Sequence, residues 1–360
     1  MRSTCARPFG RTQVIFRSFD MLKAFLASFQ TNPKPAPIAV PAPVRQRTTV
    51  LPLPQGNAPH DLKPLGRFTV GPPPEAPQIP TTAPLPPLSV SALRARMGSG
   101  VPSEVLPPHV MSYTPWGARA FVSAGTGGPT VLFEAGLGHG KNIWGRIFNE
   151  ISTISHALAY DRAGYGASER SDQPRDGLQI LRELRALLQT EEVKPPYVLV
   201  GHSLGGTIVK LFAKTYPDEV AGVVLVDARH AEFSKRCKQI GVSRMWYDPP
   251  ALLFAMASKA MRAEQASAAL TARQARRAGD FPPVPLIVLS QDHAASGWPK
   301  HLGKVWDASQ RHMAKMSHLG RMKVVEDSGH NIHRDQPDIV TSAILSVIAA
   351  ARYSQAKNKA

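Results

Sequence analysis

A short segment of the chain combines a nucleophile with the glycines needed to expose it: Gly201-His202-Ser203-Leu204-Gly205. A serine hydroxyl is a weak nucleophile at neutral pH, and it attacks a carbonyl carbon only when an adjacent base removes its proton. The glycines two residues before and two residues after Ser203 allow a strand to turn sharply into a helix. The pattern therefore predicts nucleophilic acyl chemistry at Ser203.

The base that such a serine needs is predicted to be His330, which follows the segment MKVVEDSG at a loop before the last helix. His333 lies one turn further along and is the alternative base. His202 precedes Ser203 on the same turn, and we expect it to shape that turn. If the chain order is nucleophile, acid, histidine, the base lies after Ser203 in the sequence and the acid lies between the two.

Short apolar segments alternate with helical ones from residue 112 onward, which is typical of βαβ units around a mostly parallel sheet. Residues 197–203 (YVLVGHS) form a predicted strand and residues 205–216 a predicted helix, so Ser203 falls where the strand meets the helix. The clearest amphipathic helix covers residues 178–191. The remaining predicted strands lie in the segments 129–136, 156–166 (a strand that runs into a Gly-rich turn), 220–228, 285–290 and 322–330 (a strand that ends at the His330 loop). The remaining helices cover 142–153 and 338–351.

Proline divides the chain, because 20 of its 34 prolines fall between Pro33 and Pro108. Proline fixes φ and removes a backbone donor, so this part cannot form regular helix or sheet. Four regions are predicted. Residues 1–30 are a basic N-terminal segment, which is either a targeting segment or sequence upstream of the true translation start. A disordered Pro-rich linker (31–111), a folded domain (112–352) and a short tail (353–360) follow.

An insertion over residues 229–283 differs from its surroundings, because it is helical in character and rich in Ala, Arg and Met. Insertions at this point of an open α/β sheet lie over the carboxyl ends of the strands, where ligands bind. We predict a helical cap. The apolar residues that suggest an uncharged, fairly hydrophobic substrate group are Phe233, Met245, Trp246, Leu252, Phe254 and Met256.

The formal charge of +17 is spread over the chain. It includes no run of five or six basic residues and no nucleic-acid-binding motif, so no nucleic-acid partner is expected. The sequence contains no stretch of about 18 or more uncharged apolar residues, so no transmembrane helix is predicted. Cys5 and Cys237 lie too far apart in the sequence to suggest a disulfide. The compartment stays open, with the cytoplasm favoured, and so does the oligomeric state.

No metal or other cofactor is predicted. Three histidines are scattered along a helix-like stretch without plausible metal partners, and a zinc site needs three or four ligands. They are His301, His312 and His318.

The motifs together resemble the α/β-hydrolase superfamily, in its broad esterase, lipase and peroxidase-like branch. The resemblance covers about residues 112–352. It implies the α/β-hydrolase fold, with a mostly parallel twisted sheet, helices on both faces and a short helical cap. The segments that carry it are VLFEAGLG, YDRAGYGASE, GHSLGG, VLVDA and SGHNIHRDQPD.

The resemblance implies an oxyanion hole made of two backbone N–H groups. One belongs to Leu204, the residue after the nucleophile. The other comes from the loop after the strand VLFEA, where Leu137 is the expected donor. Ala135 stands where relatives commonly have a histidine, which leaves the shape of the loop in question but not its backbone N–H.

Two aspartates are candidates for the acid, the third member of the site. In many relatives the acid follows the strand after the cap, and Ala294 occupies that place here, with Asp292 two residues earlier. Another branch places the acid at the end of the preceding strand, where this chain has Asp227. We favour Asp227 and keep Asp292 as the alternative. Either would orient His330 and stabilise its protonated form.

The resulting hypothesis is a serine hydrolase that cleaves a carboxylic ester or thioester through an acyl-enzyme on Ser203. An acyltransferase or perhydrolase would use the same acyl-enzyme with an acceptor other than water. A non-catalytic ligand-binding protein on the same fold is the alternative from another class. Dehalogenase and epoxide-hydrolase chemistry is excluded, because it needs an aspartate nucleophile where this chain has serine.

Overall fold

A computed structural model describes Val90 and residues 103–243, 254–293 and 298–359 of the chain. The predicted basic start, nearly all of the Pro-rich linker, and Ala294 lie outside them. The cap residues Met245, Trp246 and Leu252 also lie outside them.

An eight-stranded sheet forms the centre of the described fold, in the order β1-β2-β4-β3-β5-β6-β7-β8. The pairs β1–β2 and β2–β4 are antiparallel, and all the other pairs are parallel. The predicted mostly parallel sheet is therefore confirmed. The strands are β1 (Val110–Thr114), β2 (Gly117–Ala124), β3 (Thr130–Glu134), β4 (Ala157–Tyr160), β5 (Tyr197–His202), β6 (Val220–Val226), β7 (Leu286–Gln291) and β8 (Gly320–Val325).

Helices cover both faces of this sheet. They are α1 (Gly145–Ile151), α2 (Gly177–Thr190), α3 (Leu204–Thr215), α4 (Phe233–Gln239), α5 (Lys259–Arg277), α6 (Lys300–Ala314), α7 (Ile332–Asp335) and α8 (Pro337–Lys359), with 3₁₀ turns at Lys141–Trp144 and Pro217–Glu219. The predicted helix at 178–191 begins where Asp176 accepts hydrogen bonds from the backbone N–H groups of Leu178 and Gln179, which is a typical N-cap.

Two hydrophobic cores result, one on each face of the sheet. Successive strand residues point to opposite faces, so Val131 and Phe133 of β3 belong to one core and Leu132 to the other. The core around Leu132 includes residues of α2, α3 and α6, and the core around Phe133 includes residues of α1 and α8. Because the central strands are buried on both faces, they are continuous apolar runs rather than alternating ones.

The antiparallel hairpin of β1 and β2 was not among the predicted strands. Its sequences, VMSYT and GARAFVSA, carry a weak apolar pattern, and β1 is an edge strand in which Ser112 is the one buried residue. The described fold also includes residues 103–111, which the prediction placed in the linker. The side-chain amide of Asn149 donates to the backbone carbonyls of Ser103 and Val105. The domain boundaries otherwise stay predictions.

Helix α8 is the one element within the described residues that is long and apolar enough to span a membrane, over Pro337–Lys357. Its residues Val340, Ile344, Val347 and Ile348 are buried in the core against the sheet. A core helix of a globular domain has the same length and composition, so this helix is weak evidence for a membrane span.

Helices α4 and α5 fall within the predicted cap. Helix α5 packs against α2 and α3, and α4 packs against α6. Phe233 and Phe254 are buried, whereas Met256 is fully exposed. The two phenylalanines therefore pack within the protein, and the preference for a hydrophobic substrate group stays a prediction.

Candidate active site

Ser203 lies at the turn between β5 and α3, with φ 52° and ψ −114°. This positive-φ conformation is one that L residues rarely adopt and that strained functional turns use. The turn leaves no room for side chains beside it. A Cβ on Gly201 would lie 2.7 Å from the carbonyl oxygen of Gly205, and a Cβ on Gly205 would lie 2.4 Å from that of Glu134. Both glycines of the motif are thus required by contact distances.

Three side chains form a continuous set of hydrogen bonds at this turn. His330 Nε2 lies 3.0 Å from Ser203 Oγ, and His330 Nδ1 lies 2.6 Å from Asp227 Oδ2. A carboxylate can only accept, so Nδ1 carries the proton and Nε2 is free to accept from the serine hydroxyl. The arrangement can take a proton from Ser203 and balance the resulting positive charge on His330.

Asp227 is completely buried and follows β6 with φ 43°. Its Oδ1 accepts two hydrogen bonds, from the backbone N–H of Gln291 at 3.0 Å and from Trp306 Nε1 at 2.8 Å. Strands β6 and β7 are parallel neighbours, so their carboxyl ends bring Asp227 and Gln291 together. The carboxylate is therefore fixed by two donors on one oxygen and by His330 on the other.

The two alternatives from the sequence make different contacts. Asp292 follows β7, and its backbone N–H donates to the carbonyl of Ser328, while the aspartate that contacts His330 Nδ1 is Asp227. The ring of His333 is buried against His202 and Trp144. Of the two histidines weighed as the base, His330 is the one whose ring nitrogen reaches Ser203 Oγ.

His202 lies under the base rather than beside the nucleophile. Its Nε2 is 3.0 Å from the backbone carbonyl of His330, and its ring centroid is 4.8 Å from that of His330. The pKa of His202 is lowered well below the ordinary histidine value, mainly by burial and to a smaller extent by the nearby His333 and His330. His202 is therefore neutral at neutral pH, and it supports the loop that carries His330.

The segment that holds Leu137, one of the two predicted oxyanion donors, touches the Ser203 turn. A Cβ on Gly136 would lie 3.3 Å from the Cβ of Ser203, so the chain at Leu137 passes beside the nucleophile. Leu204 is the first residue of α3, directly after Ser203. The two backbone N–H groups belong to segments in direct contact, and their role as an oxyanion hole stays a prediction.

Arg162 fixes the carbonyl side of that same segment. Its guanidinium donates to the carbonyls of Ala135 at 2.6 Å and Gly136 at 2.9 Å. It also pairs with Glu134 at 2.7 Å and with Glu264 at 2.8 Å, and Arg162 and both glutamates are at most 2% exposed. Burial alone would lower the pKa of Arg162, but the two glutamates raise it well above its ordinary value.

Glu264 brings the cap insertion into this buried network. It comes from α5, and its carboxylate also accepts from the Tyr165 hydroxyl at 2.9 Å. The Tyr165 oxygen in turn accepts the backbone N–H of Gly138 at 3.3 Å. A second buried arginine, Arg175, lies 3.8 Å from Glu264. The cap helix is thus linked through polar side chains to the segment beside Ser203.

Replacement of Glu264 with alanine is expected to destabilise the fold by about 3–5 kcal/mol, because it leaves buried guanidinium charge uncompensated. Thermal unfolding of the full chain should show a melting temperature roughly 10 °C lower than that of the wild type. Glu326→Ala removes an exposed glutamate and is the matched control, with an expected change within about 0.5 kcal/mol. Equal melting temperatures for both variants would contradict the importance of this network.

Within the described residues, no group of three or more His, Cys, Asp or Glu side chains is arranged to hold a metal ion. His230 and His312 form a pair through Nε2 and Nδ1 at 3.0 Å. Cys237 is a buried free thiol in the same part of the chain.

Sequence reasoning missed two contributors to the site. Trp306 was part of a helix-like stretch, and nothing in its spacing signalled a hydrogen bond to an aspartate 79 residues earlier. Arg162 lies in the segment YDRAGYGASE, for which no role in the site was predicted. An arginine two residues after the buried strand β4 was a signal that could have found it, because a buried guanidinium needs acceptors.

The chain matches a family model described as "Alpha/beta hydrolase family" over residues 131–343, more than half of its length. It is 29% identical over 233 residues to the uncharacterized protein YqjL of Bacillus subtilis, which covers 63% of this chain and 86% of that protein. It is 33% identical over 132 residues to the uncharacterized protein Rv2715 of Mycobacterium tuberculosis, covering 35% of this chain and 36% of that protein.

Two solved structures share the fold at low identity. An esterase, EaEST, from Exiguobacterium antarcticum has a TM-score of 0.50 and 16% identity, covering 66% of this chain and 98% of the esterase. The enol-lactonase from Burkholderia xenovorans LB400 has a TM-score of 0.50 and 18% identity, covering 66% of this chain and 99% of the enol-lactonase. At such identity the likeness concerns the fold alone.

Proposed function

The chain belongs to the alpha/beta hydrolase family, and on that premise we propose that it hydrolyses a carboxylic ester or thioester through an acyl-enzyme on Ser203. In this proposal His330 is the general base and Asp227 is the acid that orients it. The backbone N–H groups of Leu204 and Leu137 hold the oxyanion. No metal or other cofactor takes part.

One observation carries the proposal: the two hydrogen bonds that join Ser203 Oγ to His330 Nε2 at 3.0 Å and His330 Nδ1 to Asp227 Oδ2 at 2.6 Å. A positioned base within hydrogen-bond reach of a hydroxyl, itself oriented by a third group, is the signature of an activated nucleophile. The backbone of Ser203 supports the same role, because residues held in rarely populated φ/ψ regions cluster at functional sites, and Ser203 is partly exposed there.

In the first half-reaction, Ser203 Oγ attacks the carbonyl carbon while His330 Nε2 takes the hydroxyl proton. The negative charge that develops on the carbonyl oxygen is stabilised by the two backbone N–H groups, at about 3–4 kcal/mol for each donor. Asp227 stabilises the imidazolium without taking its proton. When the tetrahedral intermediate collapses, the alcohol or thiol leaves with the proton from His330, and the acyl group stays on Ser203.

In the second half-reaction, water replaces the leaving group. His330 removes a proton from the water molecule as its oxygen attacks the acyl carbon, and the new tetrahedral intermediate expels Ser203 Oγ, which recovers its proton from His330. An acyltransferase or perhydrolase would differ only in the acceptor at this step. Product analysis with competing alcohols or hydrogen peroxide would identify which acceptor is used.

A fluorophosphonate probe tests the proposal directly, because it phosphonylates only an activated serine. We expect labelling of the full chain at Ser203, located by mass spectrometry of the modified peptide. Labelling should be lost in His330→Ala, since the hydroxyl then lacks its base. His318→Ala, a change at an exposed histidine on the loop after α6, is the matched control and should label like the wild type.

Absence of any label on the wild-type chain would overturn the proposed function. Labelling at another serine would overturn the assignment of Ser203. Hydrolysis of short p-nitrophenyl esters by the same preparation would identify the carbonyl substrate class, since a probe reports the nucleophile but not its substrate.

A further inference from the structure

Trp306 contacts the candidate acid from an element far away in the sequence. It lies on α6, is 4% exposed, and its indole Nε1 donates to Asp227 Oδ1 at 2.8 Å. The other donor to that oxygen is the backbone N–H of Gln291. Trp306 is therefore the side chain whose donor fixes the oxygen of Asp227 that faces away from His330.

An aromatic cluster holds the indole in place. The ring of Phe233, from α4, packs edge-on against Trp306 with centroids 4.8 Å apart, and Trp298 packs edge-on at 5.4 Å. The ring of Trp306 also lies edge-on to that of His330, with centroids 6.2 Å apart. Cys237, Val242 and Leu302 belong to the same buried cluster. Packing on several sides leaves the indole one orientation, and its N–H points at the carboxylate.

We infer that Trp306 is a positioning residue: it orients the Asp227 carboxylate and limits how much of the carboxylate's negative charge is available to His330. This inference rests on the proposed function of Ser203, His330 and Asp227. It does not touch the reacting atoms. Its effect passes through Asp227 to the imidazole. The same aromatic cluster joins the acid to α4, the first helix after Asp227.

The hydrogen bond has a directional consequence for the pH dependence of the reaction. Each donor to Oδ1 stabilises negative charge on that oxygen, so loss of the indole N–H leaves more negative charge to hold the protonated form of His330. The titratable groups that the described contacts bring to His330 are Asp227, His202 and His333. The two histidines are neutral because burial lowers the pKa of each well below the ordinary value.

The test replaces Trp306 with phenylalanine in the full chain, which keeps an aromatic ring and removes the donor. We expect kcat/KM for a p-nitrophenyl ester to fall about tenfold at its optimum, because the carboxylate is less well oriented. We also expect the midpoint of the acidic limb of the kcat/KM profile to move upward by about 0.5–1 pH unit. An unchanged midpoint would overturn the inference.

Phe233→Leu is the matched control, because it removes ring packing on Trp306 without removing a hydrogen-bond donor. A purely structural role of the cluster would affect both variants alike, with lower activity and an unmoved midpoint. A midpoint shift in Trp306→Phe alone supports the inference. Fluorophosphonate labelling of the wild type at Ser203 distinguishes failure of the proposed function from failure of this inference. An unlabelled wild type overturns both. A labelled wild type together with an unmoved midpoint in Trp306→Phe overturns only the inference.

A second measurement leaves Trp306 unchanged and is decisive if the phenylalanine variant does not fold. The chain has five tryptophans, and their indole N–H resonances can be followed in protein labelled with ¹⁵N-tryptophan. In Asp227→Ala, the Trp306 resonance should move more than the other four, because its acceptor is gone. A Trp306 resonance that stays in place would overturn the inference.

Discussion

Replacement of Ser203 with alanine is expected to lower kcat by about 10⁶-fold, the loss seen when the nucleophile of a serine–histidine–aspartate site is removed. The reason is chemical: no other hydroxyl is in hydrogen-bond contact with His330 Nε2, as far as the described contacts extend. The turn should still form, because the glycines around Ser203 and the backbone contacts of the turn are unaffected. The measurement is steady-state hydrolysis of a p-nitrophenyl ester by the full chain.

The chain offers an unusually close control for this substitution. Ser123 Oγ lies 2.7 Å from His156 Nε2, so it too is a serine in hydrogen-bond contact with a histidine. The other ring nitrogen of that histidine contacts Thr130 Oγ1 rather than a carboxylate. The pair also lies where β4 begins, at the opposite end of the strands from Ser203. Ser123→Ala should therefore leave kcat at the wild-type value.

The comparison of the two alanine variants separates chemistry from contamination and from misfolding. Activity that survives in Ser203→Ala at the wild-type level would contradict the acyl-enzyme, whatever the structure of the turn. A loss in both variants would point to a general effect of the preparation. Only loss in Ser203→Ala with retention in Ser123→Ala supports the proposed nucleophile.

The position of Ser203 could be predicted because its requirements are local. The strand YVLV, the two glycines and the apolar helix that follows are adjacent in the sequence, and they dictate a strand–turn–helix in which Ser203 must be at the bend. His330 could be predicted for a similar reason, since it follows the last strand where a loop meets a helix. Both positions depend on a few residues whose order alone fixes their place.

The acid could not be fixed in the same way, because its position depends on distance across the sheet. Asp227 and Asp292 both follow strands, and these strands, β6 and β7, are parallel neighbours. The order of the strands alone therefore places both carboxylates at the same edge of the sheet and does not distinguish them. The difference arises from contacts with the Gln291 backbone and with Trp306 on α6, which hold Asp227. No feature of the local sequence around the two aspartates contains that information.

Buried charge was equally hidden. Glu264 lies in a helix of Arg, Ala and Gln residues whose composition suggests a solvated surface, yet it is 1% exposed and paired with Arg162. The partners are separated by about a hundred residues. Helical periodicity predicts which face of α5 is covered, but it does not predict that a glutamate on that face meets an arginine beside the Ser203 turn. The fold was predictable from its patterns, whereas its polar connections were not.

Replacement of Asp227 with asparagine is expected to lower kcat by about 10⁴-fold while leaving the fold intact. The argument rests on the two donors at Oδ1. The Gln291 N–H and the Trp306 indole N–H both require an acceptor, so the amide oxygen of the asparagine must stay on their side. The amide NH₂ then faces His330 Nδ1 and donates to it. The proton moves to Nε2, and that nitrogen can no longer accept from Ser203.

Asp292→Asn is the matched variant, since it makes the same change at the other aspartate, and its kcat should stay close to that of the wild type. The reverse result, with loss in Asp292→Asn and retention in Asp227→Asn, would transfer the acid to Asp292. Thermal unfolding of both variants guards against a structural cause. The N–H donors of Trp306 and Gln291 fix the orientation of residue 227, and this orientation forces the unfavourable tautomer of His330 in the asparagine variant. The loss of kcat in Asp227→Asn therefore measures how strictly these two contacts control the base.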